Sequence, residues 1–444
     1  MPLGAFSVVV DTHIERRFEM KLQEVEIGQF TRRTDCRFCQ GENLEQILDF
    51  GNVPLAGGFL KENQFDSEKL YPLDLSFCLE CGLVQVSNVV SAEKLFRNYF
   101  YFSSSIGTLV THMADYAKEV YERFLKDKEN ASVFELGCND GVLLKHFAAL
   151  GVKAVGVDPA TNVVNSIDSD EISVINDFFG ENLARRTKQE HGPFDAFVSS
   201  YSFAHIDNMV DIIKGIKTLL KDDGVFVFEV YYLGTLIDEM QYDMIYHEHM
   251  SYYSLKTLSL FLERFGMEIF DVKFTTGVRS GATRFYARNK GQRSEPVSPA
   301  VTEMARQEKE KGYDEVGTFI SYAEKVNGTR EQLMSLLDRL KAEGKTIIGY
   351  GASGRGTTIM NYCGIDRRYL DYVVDDAPAK HGFFTPGTHV PIKPWAYTHE
   401  TAFPDYAVLF AWSFAKEVMK KRTEYLQQGG KFIVPLPEVR VIPE

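Results

Sequence analysis

Tyr246, His247, Glu248 and His249, followed by Tyr252 and Tyr253, put two imidazoles, a carboxyl and three phenols into eight residues. Three readings fit those residue types: a divalent-metal site, a proton-abstraction site, or a polar strand in an ordinary core. Metal binding is the weakest of the three. An i, i+2 spacing puts both imidazoles on one side of a strand, whereas H-E-x-x-H sets two ligands on one face of a helix. Proton abstraction needs a group that titrates near neutrality, with a phenol or second imidazole to donate to the charge that develops. A site that used Glu248 together with its neighbour His249 would need an irregular backbone, because adjacent strand residues face opposite ways.

Better metal ligands lie elsewhere. Cys36-x2-Cys39 and Cys78-x2-Cys81 are two C-x-x-C pairs separated by 38 residues. Four thiolates in a tetrahedron suit Zn²⁺ and leave no position for water, so the expected zinc is structural. The gap between the pairs is long for a zinc ribbon and predicts an inserted hairpin.

Two glycine turns are candidates for nucleotides. "ELGCNDG" offers Glu135, Gly137 and Gly141, with Asn139 and Asp140 between the glycines, where an apolar strand (133–136) runs into a helix. Glycines allow a ligand close to the backbone, and a helix N-terminus favours electronegative groups. Asp158 closes the next strand and is placed to take ribose hydroxyls. Asp177 and Phe178 follow, where an adenine would lie. The strand-end glutamate without G-x-G-x-x-G favours S-adenosylmethionine over NAD. The second turn, "GYGASGRG", does match G-x-G-x-x-G at Gly349, Gly351 and Gly354, with Asp375 21 residues on. Read alone it is a dinucleotide fingerprint, so an NAD-dependent oxidoreductase is a rival reading. Arg355 inside the turn equally suits the diphosphate of a nucleotide.

The elements that must position these groups follow from periodicity. Apolar runs at 133–136 and 154–157 flank the first turn in a βαβ unit, and "FDAFVSSYSFAHI" and "DGVFVFEVYY" continue a parallel sheet around a helix at 208–220. Residues 300–343 read as helical, with Phe319, Tyr322, Val326, Leu333, Leu336, Leu337 and Leu340 forming an apolar stripe. The expected fold class is α/β in three parts. An N-terminal extension (1–30) precedes a zinc-binding domain (31–100) and a Rossmann-like S-adenosylmethionine-binding domain (101–295). A helical bridge (296–343) then leads to a C-terminal Rossmann-like domain (344–444).

The 444 residues carry a formal charge of −13, which argues against a nucleic-acid surface or a basic membrane patch. No apolar run approaches the roughly 20 residues that span a bilayer. "FSVVV" near the N-terminus is too short for a secretory leader, and the expected location is cytoplasmic. Six cysteines, four of them in the two pairs, make no disulfide framework.

The stretches "CRFC…CLEC", "YFYFSSS", "ELGCNDG", "YHEHMSYYS", "GYGASGRGTTIMNYCGI" and "VVDDAPAKHGFFTPGTHVPI", in this order, make the chain resemble the nucleotide-sugar C-methyltransferases, which methylate C-3 of 4-keto deoxysugars. The resemblance implies a zinc-binding N-terminal domain, a central methyltransferase domain, and a C-terminal domain that holds the substrate nucleotide rather than NAD. It puts the catalytic base on His249, with Tyr246, Glu248 and His247 beside it. Tyr101 or Tyr99 would face the sugar, and Ser353, Arg355, Asp375 and Arg284 are carried as substrate-binding positions. Two departures stand out. Residues 279–284 read "RSGATR" where the family has "HGGSxR", and Cys138 replaces a small polar residue in the first turn. The expected chemistry is base-catalysed enolate formation followed by methyl transfer to carbon, because a ketone acidifies the neighbouring C–H. Two rivals are the oxidoreductase and a binding module that has lost its chemistry. The expected partner is a nucleotide sugar, and the chain is expected to be a monomer or small homo-oligomer.

Overall fold

The computed structural model describes residues 28–99, 101–275, 281–401 and 403–443. Most of the expected N-terminal extension lies outside the described residues, as do Arg279 and Ser280 of the "RSGATR" stretch.

The middle of the chain forms a seven-stranded sheet. Its spatial order is Met267–Thr275, Ala282–Asn289, Leu220–Tyr231, Phe194–Ser200, Ser132–Leu136, Lys153–Val157 and Ile172–Ile175. The last five are mutually parallel, while Ala282–Asn289 is antiparallel to both its neighbours. Parallel strands covered on both faces read as unbroken apolar runs; "SVFEL" is buried along its whole length. Strand order reverses at Ser132–Leu136, between the strands at 153–157 and 194–200. In open α/β sheets, the crevice at the carboxyl ends of strands that flank such a reversal takes the ligand.

The C-terminal sheet repeats this plan. Ile347–Tyr350 lies centrally between Val373–Val374 and Tyr406–Leu409, followed outward by Ile392–Lys393 on one side and Lys431–Val434 with Arg440–Ile442 on the other. All pairs are parallel except the last.

The N-terminal part is an antiparallel sheet of Leu44–Val53, Tyr71–Cys78 and Val84–Val86, and its fourth strand comes from elsewhere in the chain. Ser251–Tyr252, just beyond the histidine-rich stretch, pairs with Val84 and Gln85. The helical stretch expected as a bridge consists of Pro299–Glu310 and Val316–Ala342. Of the predicted stripe, Phe319, Tyr322, Val326, Leu333, Leu337 and Leu340 are buried and Leu336 partly so. They share one core with Leu73 and Leu75 of the zinc-side sheet and Ile347 and Val408 of the C-terminal sheet. The long helix is thus a central core element rather than a spacer, because its stripe is wide enough to pack on two sheets.

Candidate active site

A cavity of about 540 Å³ opens at the strand-order reversal of the central sheet, walled by Glu135, Gly137, Asn139, Asp158, Asp177 and Phe178 among others. Gly137 has φ +73°, and a Cβ there would lie 2.0 Å from the Ser202 hydroxyl, so the turn fits only glycine. Asp158 accepts from the Asn139 N–H (2.8 Å) and the Ala160 N–H (2.9 Å), which brace the turn. Glu135 has a buried Oε2 with no partner among the described residues. Burial raises the Glu135 carboxyl well above the ordinary range, with Asp158 and Asp140 adding to the rise. An orphaned buried carboxyl oxygen in a chamber wall fits a ligand that carries hydroxyl or ammonium donors, which S-adenosylmethionine does. Gly141 opens the helix Val142–Ala149. Asp140 accepts from the Ser104 N–H (3.0 Å) through one oxygen, and its other oxygen is buried without a partner among the described residues. Phe178 stands between the chamber and Arg97, whose guanidinium lies 4.7 Å from the ring centroid.

The histidine-rich stretch is a turn, not a strand. His249 N–H donates to the Tyr246 carbonyl (2.9 Å), and beyond it Met250 N–H donates to Ala204 (2.7 Å) while the Met250 carbonyl accepts from Val86 N–H (3.0 Å). The segment is therefore sewn between the central sheet's crevice and the N-terminal sheet, and the irregular backbone sends its side chains different ways. His247 turns to the zinc side, where Nε2 donates to the Pro72 carbonyl (3.2 Å) and the ring meets Tyr71. Its expected catalytic role does not fit this position, because it touches none of the other candidate groups. Burial lowers its pKa to about 4, so it is neutral at physiological pH. His249 points inward. Nδ1 lies 2.7 Å from the Met244 carbonyl, which can only accept, so that nitrogen carries the proton. Nε2 then presents its lone pair to the Tyr246 hydroxyl at 2.9 Å.

Glu248 does not orient either imidazole. Its Oε2 accepts from the Tyr99 hydroxyl (3.1 Å), and burial raises its pKa to about 7 against that lowering bond. Tyr101 lies in the cavity wall beside Tyr99. Behind His249 stand two aromatic groups that sequence reasoning passed over. His205 faces the cavity with its ring centroid 5.1 Å from that of His249, and Tyr231 packs on the imidazole at 5.1 Å. The available signal for His205 was its place just beyond the strand Phe194–Ser200, at the crevice of the order reversal.

The second glycine turn is built differently from a dinucleotide site. A Cβ on Gly354 would come 3.3 Å from Ala56, so this glycine lets the zinc-side loop close on the helix Gly354–Cys363, with Tyr246 in ordinary contact at 3.8 Å. Ser353 caps that helix, its hydroxyl accepting from Gly356 N–H (3.1 Å). Asp375 accepts from Ala352 N–H and Ala377 N–H, both at 2.8 Å, and pairs with Lys380 at 3.1 Å. Two backbone N–H groups thus hold Asp375 as they hold Asp158, and Lys380 is the difference between the two turns. Arg355 is held by Asp243 (2.7 and 3.1 Å), which also accepts from Trp412 Nε1 (2.7 Å). Arg284 stands apart: it pairs across the strands with buried Glu229 (2.7 Å) and with Glu119 (2.7 Å), and reaches the cavity wall only through Glu229 and Ser200. Its expected contact with substrate does not fit that burial.

The thiols of Cys36, Cys39, Cys78 and Cys81 all lie within 4.8 Å of one another. The Cys36–Cys81 and Cys39–Cys78 separations are 3.5 Å each, too long for disulfides and close to the roughly 3.8 Å edge of a tetrahedral Zn–thiolate site. Among the described residues no other group of three or more His, Cys, Asp or Glu ligands converges in this way. His247 and His249 each give a ring nitrogen to a different carbonyl, Pro72 and Met244, which does not fit one shared metal. No helix of the described residues is long and apolar enough to cross a membrane.

Comparison with known proteins finds three matching stretches. Residues 36–96 match a zinc binding domain, 109–272 a methyltransferase domain, and 277–437 a C-methyltransferase C-terminal domain. The C-methyltransferase NovU of Streptomyces niveus is 34% identical over 411 residues, covering 92% of this chain and 96% of NovU. The ubiquinone biosynthesis O-methyltransferase of Glaesserella parasuis is 26% identical over 116 residues, 23% of this chain and 48% of that protein. Among solved structures, the CcbJ methyltransferase from Streptomyces caelestis covers 40% of this chain and 89% of its own, at 12% identity and a TM-score of 0.32.

Proposed function

The chain belongs to the C-methyltransferase family, and from that premise we propose that it methylates a carbon beside the ketone of a nucleotide-linked keto deoxysugar, with His249 as general base. S-adenosylmethionine is the cofactor, and when bound it supplies an electrophilic methyl group. The chain's own task is to make a carbon nucleophile. One observation carries the reading: His249 is fixed by Met244 as the tautomer that carries its lone pair on Nε2, and that lone pair accepts from the Tyr246 phenol at 2.9 Å. Nε2 takes the proton from the carbon next to the ketone, and the electron pair left behind spreads onto the ketone oxygen as an enolate. Burial holds the Tyr246 phenol well above its ordinary pKa, so it stays protonated and turns its O–H from His249 to the enolate oxygen. On this reading the nucleotide end points toward the second glycine turn, where Arg355, paired with Asp243, lies 4.8 Å from the Trp412 ring centroid.

The test is solvent exchange. With S-adenosylhomocysteine in place of the methyl donor, wild-type protein should exchange the substrate's acidic C–H in D₂O. His249→Asn should lose exchange and methylation while still binding S-adenosylhomocysteine, and turnover should fall by about 10² to 10⁴. Near-normal turnover in His249→Asn would overturn the assignment.

A further inference from the structure

Residues 91–99 and 101–105 supply Phe96, Tyr99, Tyr101 and Ser103 to the wall of the cofactor cavity and form a strap along it. Two asparagines of the methyltransferase domain fasten this strap. Asn139 accepts from Ser103 N–H (2.8 Å) and donates to the Tyr101 carbonyl (3.0 Å). Asn162 accepts from Tyr99 N–H (2.9 Å) and donates to the Tyr99 carbonyl (2.8 Å). Beside the second clamp, Thr161 N–H donates to the Arg97 carbonyl (3.1 Å).

Asn162 is exposed and is not part of the cavity wall. It sits on the short helix Thr161–Val164 that follows Asp158. Its amide grips both polar atoms of the Tyr99 main chain, and the Tyr99 hydroxyl then reaches Glu248 (3.1 Å). A surface residue chosen only for solubility has no need of a reciprocal pair, and only a primary amide can both accept and donate in this geometry. We propose that Asn162 is a positioning residue: it fixes the Tyr99 backbone so that the Tyr99 hydroxyl meets Glu248, tying the loop that braces the cofactor acid Asp158 to the site where substrate is activated.

This inference rests on the reading of Tyr99 and Glu248 as site residues, and a double-mutant cycle tests it. kcat and KM are measured for wild type, Asn162→Ala, Tyr99→Phe and the double variant on the nucleotide-linked 4-keto deoxysugar. Asn162→Ala should lower kcat about tenfold in the wild-type background and less than about twofold when Tyr99 has already lost its hydroxyl. KM for S-adenosylmethionine should move less than kcat, and the melting temperature should stay within a few degrees of wild type. Asn162→Asp, which keeps the acceptor and loses the donor, should not restore the rate. Equal losses in both backgrounds would overturn the proposal, since a purely structural Asn162 would act independently of the hydroxyl. If wild type turns over no keto sugar, the substrate reading has failed and amide exchange decides this one. With S-adenosylhomocysteine bound, exchange across 97–105 should be roughly tenfold faster in Asn162→Ala; unchanged protection would sink the proposal.

Discussion

His247 and Glu248 are adjacent, yet burial moves their protonation in opposite senses. His247 is lowered from 6.5 to about 4, so between those values the unfolded chain binds the extra proton and stability rises with pH. Its contribution is complete above 6.5 and is lost as pH falls through 4. Glu248 is raised from 4.5 to about 7, so the folded state binds the extra proton and stability falls as pH rises through that window. The two effects largely cancel in the wild type between pH 4.5 and 6.5. Glu248→Gln should therefore unmask a urea midpoint that climbs with pH over this range, and His247→Asn one that declines, each by up to about 3 kcal/mol at roughly 1.4 kcal/mol per unit. Parallel slopes in the two variants would refute this account. A second residue-scale prediction separates Tyr246 from His249. Tyr246→Phe keeps the base and loses only the donor to the enolate, so it should cost less turnover than His249→Asn. A larger loss in Tyr246→Phe would make the phenol the base.

At the level of elements, the first glycine turn has no slack. Gly137→Ala meets both an unfavourable φ of +73° and the Ser202 hydroxyl at 2.0 Å, and a left-handed backbone alone costs a residue with a side chain about 1–2 kcal/mol. The turn should shift, and S-adenosylhomocysteine should no longer raise the melting temperature. An undiminished rise would mean that the ligand does not rest on this turn. In the second turn, Gly354→Val should act differently. It wedges Ala56 and Tyr246 away from the helix Gly354–Cys363, so catalysis should suffer while the cofactor-induced melting shift persists. Loss of that shift with retained turnover would refute the assigned division of labour.

Across the whole molecule, the zinc-side sheet, the helix Val316–Ala342 and the C-terminal sheet share one hydrophobic core. Segment 59–68 adds to this union: Leu60 bridges Phe384, Phe65 stacks on His389 at 3.9 Å, and Glu68 accepts from Gly387 N–H (2.9 Å) and pairs with His389 (2.7 Å). Zinc binding should therefore stabilise more than the module that holds it. Chelation or Cys78→Ser should lower the melting temperature of the zinc-side and C-terminal parts together, followed as one transition in near-ultraviolet circular dichroism. A chelated protein with an unchanged transition would show that the four thiolates do not support the core.

The sequence by itself determined the features set by local chemistry. Two C-x-x-C turns converge because thiolates at that spacing can do little else together. "ELGCNDG" and Asp158 meet at one cavity wall because strand, glycine and acid follow one another within a single βαβ unit. The stripe from Phe319 to Leu340 is helical because its period is. What depends on distant chain was not legible. "GYGASGRG" satisfies a dinucleotide pattern, but only the packed structure puts Ala56 and Tyr246 against Gly354 and Lys380 on Asp375. His247 and His249 look equivalent in sequence, and their separation depends on Pro72 lying on one side and Met244 on the other. His205 and Asn162 carry no motif at all. Their places follow from strand order and from a strap running along the cavity wall, because a hydrogen bond is decided by which atoms meet in space and not by their spacing along the chain.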